Sequence, residues 1–473
     1  MENQGNVKQP ALWLCLSIVL FLIISFLLQL LIKGEPDVHM TLFFASVFAS
    51  AMLIIFNKTK FDLIEEGIIH GCKIATISMM ILMFIGVMIP AWIAAGTIPT
   101  LIYYGLKLIS PSIFLVTATL TCAIATLCTG TSWGTAATFG VALMGIGGGL
   151  GISPGMTAAV ICGAIFGDKM SPISDTVNLS AGTCEVNIFD NIKSVATATI
   201  PGFILTIIVF IFLDLKFNSG EIHSQAVDSM LTILSNNFNL TPIHALISLL
   251  PMILVLVLAL KKVNALATIV VSAIVAMFIG ILLQKYSLID MMSYMNYGFK
   301  IDTGNFDVDK LLNRGGLQSM MWTVSIGYLG LSYGGILEKT GVLNTLLNSM
   351  QTITKNSRNL ILSHILTGFL TIMLSASPYV SILIPGRMFI KGYEKLGIKK
   401  SVASRTCEHS GICLDPLLPW SLGAVYFSGV LGVKTIDYAI YCVLLYVVPL
   451  IAAFYAITGI FVWKENSKKG VND

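Results

Sequence analysis

Charge is what this chain has least of. Only 11% of its 473 residues are Asp, Glu, Lys or Arg, against about 25% in a soluble globular chain. A surface so poor in charge is not that of a water-soluble domain. The net charge of +4 is no nucleic-acid footprint either, because the basic residues fall in short loops. Cysteine occurs nine times but never as Cys-x-x-Cys, which leaves neither a zinc site nor a disulfide framework. Cys407 and Cys413 read as packing residues. No His-Glu-x-x-His is present, so the zinc-hydrolase pattern is absent. The glycines of Gly145–Gly151 lack the strand and spacing of a nucleotide loop and read as a flexible stretch.

What is present is hydrophobicity. Apolar residues make up 56% of the chain and mean hydropathy is +0.86. Repeated apolar runs of about 20 residues predict an all-α polytopic membrane protein. Ala11–Ile32 is too long for a signal-peptide core and reads as a retained first span. A polar turn at Lys33–Val38 leads to a return over His39–Phe56. The loop Asn57–Lys73 carries Lys58, Lys60 and Lys73, which places it and the N-terminus in the cytoplasm. Ile74–Ile98 crosses outward and breaks near Pro90 and Gly96–Pro99, and Pro111–Leu127 follows. Val195–Leu213 ends the first half. Asp214–Leu240 reads as an external loop, Thr241–Leu260 and Asn264–Leu283 as two spans around an internal Lys261-Lys262, and Lys285–Gly316 as a mixed-charge external loop. Leu317–Leu337 comes in, Leu360–Leu374 leads to a second polar break, and Ile436–Trp463 is the last span before an internal Lys464, Lys468 and Lys469.

The two halves match weakly. Gly96–Leu101 resembles Gly341–Leu346 at an offset of 341 − 96 = 245. Asp168–Pro172 resembles Asp415–Pro419 at 415 − 168 = 247, and Val186–Asp190 resembles Val433–Asp437 at the same 247. Matched segments run in opposite directions in the expected topology, so two inverted-topology repeats are predicted, with a binding site near the midplane. The expected organisation is N-terminal transmembrane helices over 1–73, a first repeat over 74–213, a connecting region with two transmembrane helices over 214–316, a second repeat over 317–463 and a cytoplasmic tail over 464–473.

Four polar breaks interrupt apolar sequence: Thr129–Thr135, Asp168–Asn178, Ser375–Ser381 and Glu408–Trp420. Irregular backbone at membrane depth survives only where protein or a cavity covers it, and intramembrane ionisable groups mark functional sites. Asp168, Ser171, Asp175, Thr176 and Asn178 offer the hard oxygens that sodium takes, with sodium expected at Asp168, Asp175 and Asn178. Thr131, Ser132, Ser377 and Ser410 add hydroxyls from the other breaks. Lys169 reads as a counter-ion, or as a cation mimic that leaves when sodium or a proton binds. Glu408 and Asp415 would share one face of a continuous helix, although Pro416 and Pro419 speak against continuity. Either carboxylate is a candidate for a coupled proton. His409 is a candidate pH sensor or a polar packing residue. Arg405 and Arg387 are candidates to hold an organic carboxylate, and snorkelling is the more ordinary account of Arg387.

Gly167-Asp-Lys-Met-Ser-Pro-Ile-Ser-Asp-Thr-Val-Asn-Leu179, Gly130–Thr135, Ile384–Phe389 and Glu408-x-Ser-Gly followed by Pro416-Leu-Leu-Pro-Trp420 resemble the NhaC family of sodium/proton antiporters. That family includes malate/lactate antiporters and belongs to the ion-transporter superfamily. The resemblance spans nearly the whole chain. It implies inverted repeats with re-entrant hairpins and broken helices, and sodium- or proton-coupled exchange at the bacterial inner membrane. Sodium and protons would be the coupling ions, with no cofactor and no nucleic-acid partner, and with a small organic anion such as malate or lactate as a possible substrate. The second half departs from the pattern at His409, where the family commonly has an acid, at Asp415, commonly a hydroxyl, and at Ser377-Pro378-Tyr379. The expected function is therefore secondary antiport of sodium against protons or an organic acid, and not enzymatic. An intramembrane hydrolase and a sodium-permeable channel are the alternatives.

Overall fold

A computed structural model describes residues 9–33, 37–108, 111–217, 222–261, 263–351 and 356–465. Among them the chain is helical, with one isolated antiparallel bridge, Ile398 to Lys464. It opens with α1 (Leu12–Lys33), α2 (Val38–Met52) and α3 (Phe61–Ala94). The first site-bearing stretch holds α4 (Thr97–Leu108), α5 (Phe114–Thr129), α6 (Ser132–Thr135), α7 (Val141–Gly149), α8 (Pro154–Ala158), α9 (Ile161–Met170), α10 (Asp175–Thr183) and α11 (Ile188–Phe217). Between the halves come α12 (Ile222–Asn237), α13 (Pro242–Ser248), α14 (Leu250–Leu260), α15 (Ala265–Leu283), α16 (Leu288–Tyr297) and α17 (Phe306–Leu312). The second half holds α18 (Leu317–Lys339), α19 (Val342–Gln351), α20 (Ser357–Ser375), α21 (Pro378–Lys395), α22 (Lys400–Glu408), α23 (Gly411–Leu414), α24 (Leu422–Leu431), α25 (Thr435–Ala439) and α26 (Val443–Thr458). Six of these helices are long and apolar enough to cross a membrane, seven if the α13–α14 pair, bent by 41°, counts as one. The chain is a polytopic membrane protein.

Several expectations are corrected. Asn57–Lys73 is not a loop, because α3 starts at Phe61 and runs for 34 residues. At 1.5 Å per residue it is about 51 Å long, against about 30 Å of hydrocarbon, so its polar first turns extend beyond the apolar layer. Gly145–Gly149 belongs to α7 rather than to a flexible stretch, because its glycines admit neighbours: a methyl at Gly147 would meet the Thr157 side chain and one at Gly149 would meet Met230. Asp214–Leu240 and Lys285–Gly316 are not loops but carry the tail of α11, α12, α16 and α17. Ile436–Trp463 is broken into α25 and α26. The Lys33–Val38 turn at 34–36, Lys262, and the tail from 466 lie outside the described residues.

Glycine sets the closest helix contacts, as in other membrane bundles. On α3, Gly67 and Gly71 face α18 so closely that a methyl at Gly71 would collide with the Leu331 carbonyl. On α9, Gly163 and Gly167 lie over the carbonyls of Thr119 and Ala123 in α5. Gly163→Ala is expected to push α9 from α5 and cost about 1–3 kcal/mol as an overpacked contact, read as a lower melting temperature in detergent. Gly182→Ala is the control, since nothing lies within 4 Å of its added methyl.

Helix directions follow from the pairings. Trp92 Nε1 donates to Ser272 Oγ at 2.9 Å and Gly280 lies against Ala94, so α15 runs parallel to α3. Gly71 sits against Leu331 and Gly86 against Gly316, so α18 runs antiparallel to it. The α14–α15 turn therefore lies on the side of the α2–α3 turn, and the start of α18 on the side of the α1–α2 turn. Likewise Tyr455 Oη donates to the Thr197 carbonyl at 3.1 Å while Gly202 meets Val448 and Leu444, which makes α11 and α26 antiparallel.

The backbone breaks recur at near-constant spacing. Positive φ is found at Gly96 and Gly341, offset 341 − 96 = 245, and at Gly130 and Ala376, offset 376 − 130 = 246. It recurs at Gly151 and Gly397, offset 397 − 151 = 246, and at Glu185 and Gly432, offset 432 − 185 = 247. Ala376 and Glu185 hold this conformation despite a Cβ, which costs about 1 kcal/mol or more each. Helix caps repeat too: Thr131 and Ser377 begin α6 and α21, and Ser174 and Ser421 begin α10 and α24.

Candidate functional site

The first break is built from the end of α5. Gly130, at φ 72°, turns the chain and its N–H bonds the Thr126 carbonyl. Thr131 then caps α6 by accepting from the Gly134 N–H at 3.2 Å. This turn aims Ser132 Oγ at Asp168 Oδ2, to which it donates at 2.6 Å. Asp168 stands in the last turn of α9. Two residues of the following break close it off: Ser171 Oγ donates to the Leu127 carbonyl at 3.1 Å, and Ser174 caps α10. Asn178 Nδ2 donates to the carbonyls of Pro172 at 2.9 Å and Ser174 at 2.7 Å. Its amide nitrogen thus braces the break, and Oδ1 is its remaining ligand atom.

A cavity of about 640 Å³ collects these groups. Asp168, Asp175, Thr131, Ser132, Thr176 and Asn178 line it from the first half, and Asp415 and Tyr379 from the second. Its wall continues along α3 at Ser78 and reaches the α14–α15 turn at Ala259 and Asn264. Trp133 and Tyr426 stack across it at 4.1 Å, and Tyr426 Oη donates to the Trp133 carbonyl at 2.8 Å. Gly130-Thr-Ser-Trp-Gly134 spells Gly-x-Ser-x-Gly. Its serine is bonded to Asp168 and, among the described residues, no histidine lines the cavity beside it as that motif's base would.

Lys169 lies beside Asp168 in sequence and also lines the cavity, but its ammonium is taken up by the second half. Nζ donates to Glu408 Oε2 at 3.0 Å and to the Glu408 carbonyl at 2.6 Å, with both side chains almost wholly buried. The pair ties α9 to the end of α22, where Ser410, at φ −110° and ψ −108°, stops the helix. Glu408 and Asp415 therefore do not share one helical face. Asp415 instead faces the first turn of α24, where its Oδ1 accepts from the Gly423 N–H at 3.0 Å and Ser421 Oγ bonds its carbonyl.

The remaining predicted residues lie outside the cavity lining. Ser377 caps α21 and Ser410 Oγ donates to the Cys407 carbonyl at 3.1 Å. His409 Nε2 sits 3.1 Å from the Val195 carbonyl and 3.2 Å from Thr199 Oγ1. A carbonyl only accepts, so Nε2 carries the hydrogen. Arg405 donates to Thr197 Oγ1 at 3.3 Å and lies against the Tyr455 and Trp463 rings at 5.9 and 5.5 Å, an aromatic cage that accounts for its burial. Arg387 is exposed on α21. At the exposed edge, Lys400 bonds Glu185 at 2.7 Å and Glu394 at 2.8 Å. The hydrogen bond to Lys400 holds the Glu185 carboxyl below its ordinary range, and the two carboxylates push the ammonium above its own. Sequence reasoning missed Tyr379 and Tyr426, whose aromatic rings carry no local signal that separates a cavity wall from packing.

The profile of the Na+/H+ antiporter family matches residues 163–460. The chain belongs to that family. Its relatives cover it end to end. The Na(+)/H(+) antiporter NhaC of Alkalihalophilus pseudofirmus is 35% identical over 99% of both chains. The Malate-2H(+)/Na(+)-lactate antiporter of Bacillus subtilis is 32% identical over 98% of both. The Arginine/ornithine antiporter ArcD of Halobacterium salinarum is 30% identical over 94% of this chain and 91% of its own. Membership of the Na+/H+ antiporter family indicates a membrane transporter rather than an enzyme, and the matched stretch begins at Gly163, the helix that carries Asp168.

Proposed function

We propose that this member of the Na+/H+ antiporter family is a secondary active antiporter that exchanges sodium for protons or for an organic acid. The observation that carries this is the cavity that Asp168, bonded to Ser132, shares with Asp175 of its own break and with Asp415 of the Glu408–Trp420 break. Asp168, Asp175 and the Asn178 amide oxygen supply hard oxygens for sodium, with Thr131, Ser132 and Thr176 beside them. Asp415 supplies a second carboxylate for the cation or the coupled proton. The Lys169–Glu408 pair acts as the brace that fixes both half-sites to each other.

The architecture supports two inverted-topology repeats over 74–213 and 317–463. The matched positive-φ breaks and the antiparallel pairs α3/α18 and α11/α26 are what such repeats require. The chain breaks at Gly130 and Ala376 would then be the re-entrant turns. Kinship to bacterial antiporters and the basic residues of the α2–α3 and α14–α15 turns support an inner-membrane setting with both termini and the Asp168 cavity facing the cytoplasm. Alternating access would expose the carboxylates to each side in turn.

The test is the purified protein in proteoliposomes. An imposed sodium gradient is expected to drive an opposed proton flux, or an opposed flux of labelled malate or lactate. A sodium current that reverses at the sodium equilibrium potential and ignores pH and organic acids would overturn the reading in favour of a channel.

A further inference from the structure

A second cavity, of about 1040 Å³, lies on the other side of the same break. Pro419 lines it, while Asp415 and Pro416 of the same short segment line the first cavity. It reaches Asp37 and His39 at the α1–α2 turn, the side opposite the α14–α15 turn. Its charge has the opposite sign. Lys300, Arg314 and Lys434 line it, and among the described residues its one carboxylate, Asp37, is engaged in capping α2 through Met40.

Arg314 is the notable residue. The 298–316 segment is ordered: Phe299 N–H bonds the Arg314 carbonyl at 3.3 Å, and Gly316 N–H bonds the Gly86 carbonyl of α3 at 2.7 Å. Gly315 and Gly316, at φ 80° and 95°, allow that close approach. The guanidinium is thereby set into the cavity, where Nη2 donates to the Val430 carbonyl at 3.2 Å. That is one bond for five N–H groups, and among the described residues no carboxylate pairs with it. A guanidinium set into a cavity with no acid partner among the described residues fits a planar carboxylate, which it bonds through two parallel N–H groups. Thr323 and Ser428 line the cavity beside it. Nothing comparable favours a cation there.

We propose that Arg314, with Lys300 and Lys434, forms the binding site of a small organic carboxylate that enters from the side opposite the Asp168 cavity. The proposal rests on the antiporter reading and locates the site at which its organic-acid solute binds. Cation and anion then bind back to back across the 415–419 segment, so that movement of one break serves both.

The test is calorimetric titration of the purified wild-type protein with L-malate and with L-lactate, alongside sodium-driven proton flux from the same preparation. Saturable binding is expected, weakened about tenfold or more by Arg314→Gln through loss of a charge-assisted bidentate contact, and partly restored in Arg314→Lys. Lys300→Gln, at an exposed position, is expected to weaken binding several-fold and covers the case in which Arg314→Gln does not fold. Wild-type protein that moves protons against sodium yet binds neither acid overturns this proposal and leaves the antiporter reading standing. Unchanged binding in folded Arg314→Gln and in Lys300→Gln overturns it as well.

Discussion

Asp168→Asn is expected to abolish sodium-driven exchange while leaving the protein inserted and folded. The substitution keeps the shape of the side chain and an oxygen for Ser132 Oγ, which donates at 2.6 Å in the native chain. It removes the negative charge. A unit charge pair about 4 Å apart, at an effective dielectric of about 20, is worth about 4 kcal/mol, or about a thousandfold in affinity. The carboxylates that remain in the cavity, Asp175 and Asp415, stand on other elements and do not restore the Asp168 charge at Ser132. The measurement is sodium-dependent proton flux in everted vesicles, with membrane content and detergent melting temperature as controls for folding. Native flux from the folded variant would remove Asp168 from the site.

Lys169→Met is expected to lower stability by about 3–5 kcal/mol, because it strands the Glu408 carboxylate without its cation. The pair is 3.0 Å apart and its side chains are 2% and 0% exposed, so water does not take the place of the lost partner. The double change Lys169→Met with Glu408→Leu is expected to recover most of that loss, since an apolar pair of similar volume can match a buried ion pair in stability. Melting temperatures of the two single variants and the double variant in detergent form the required cycle. A single variant that melts like the native protein would show that the pair does not hold α9 to α22.

The sequence made the first half-site readable and the second only in part. Apolar runs located α1, and the hydroxyl-rich interruptions at Thr129–Thr135 and Ser375–Ser381 coincide with the turns at Gly130 and Ala376. Asp168 and Ser132 were named from separate breaks, and the fold brings them into contact. Hydropathy failed where helices are polar or short. Asp214–Leu240 and Lys285–Gly316 lack long apolar runs, so α12, α16 and α17 looked like loops. Glycine was misread at Gly145–Gly149, where close neighbours rather than flexibility account for it. The Lys169–Glu408 pair joins residues 239 apart and leaves no local trace. Arg314 was invisible for the same reason: its setting depends on Gly86 of α3 and Val430 of α24. Arg405, the more obvious candidate by position, is enclosed by two aromatic rings.

Direct sodium binding tests the account most closely. Purified protein titrated with radiolabelled sodium at several pH values is expected to bind it saturably, to lose affinity as protons compete for the same carboxylates, and to lose binding in Asp168→Asn. Sodium binding of native affinity in folded Asp168→Asn, unchanged across pH, would contradict it.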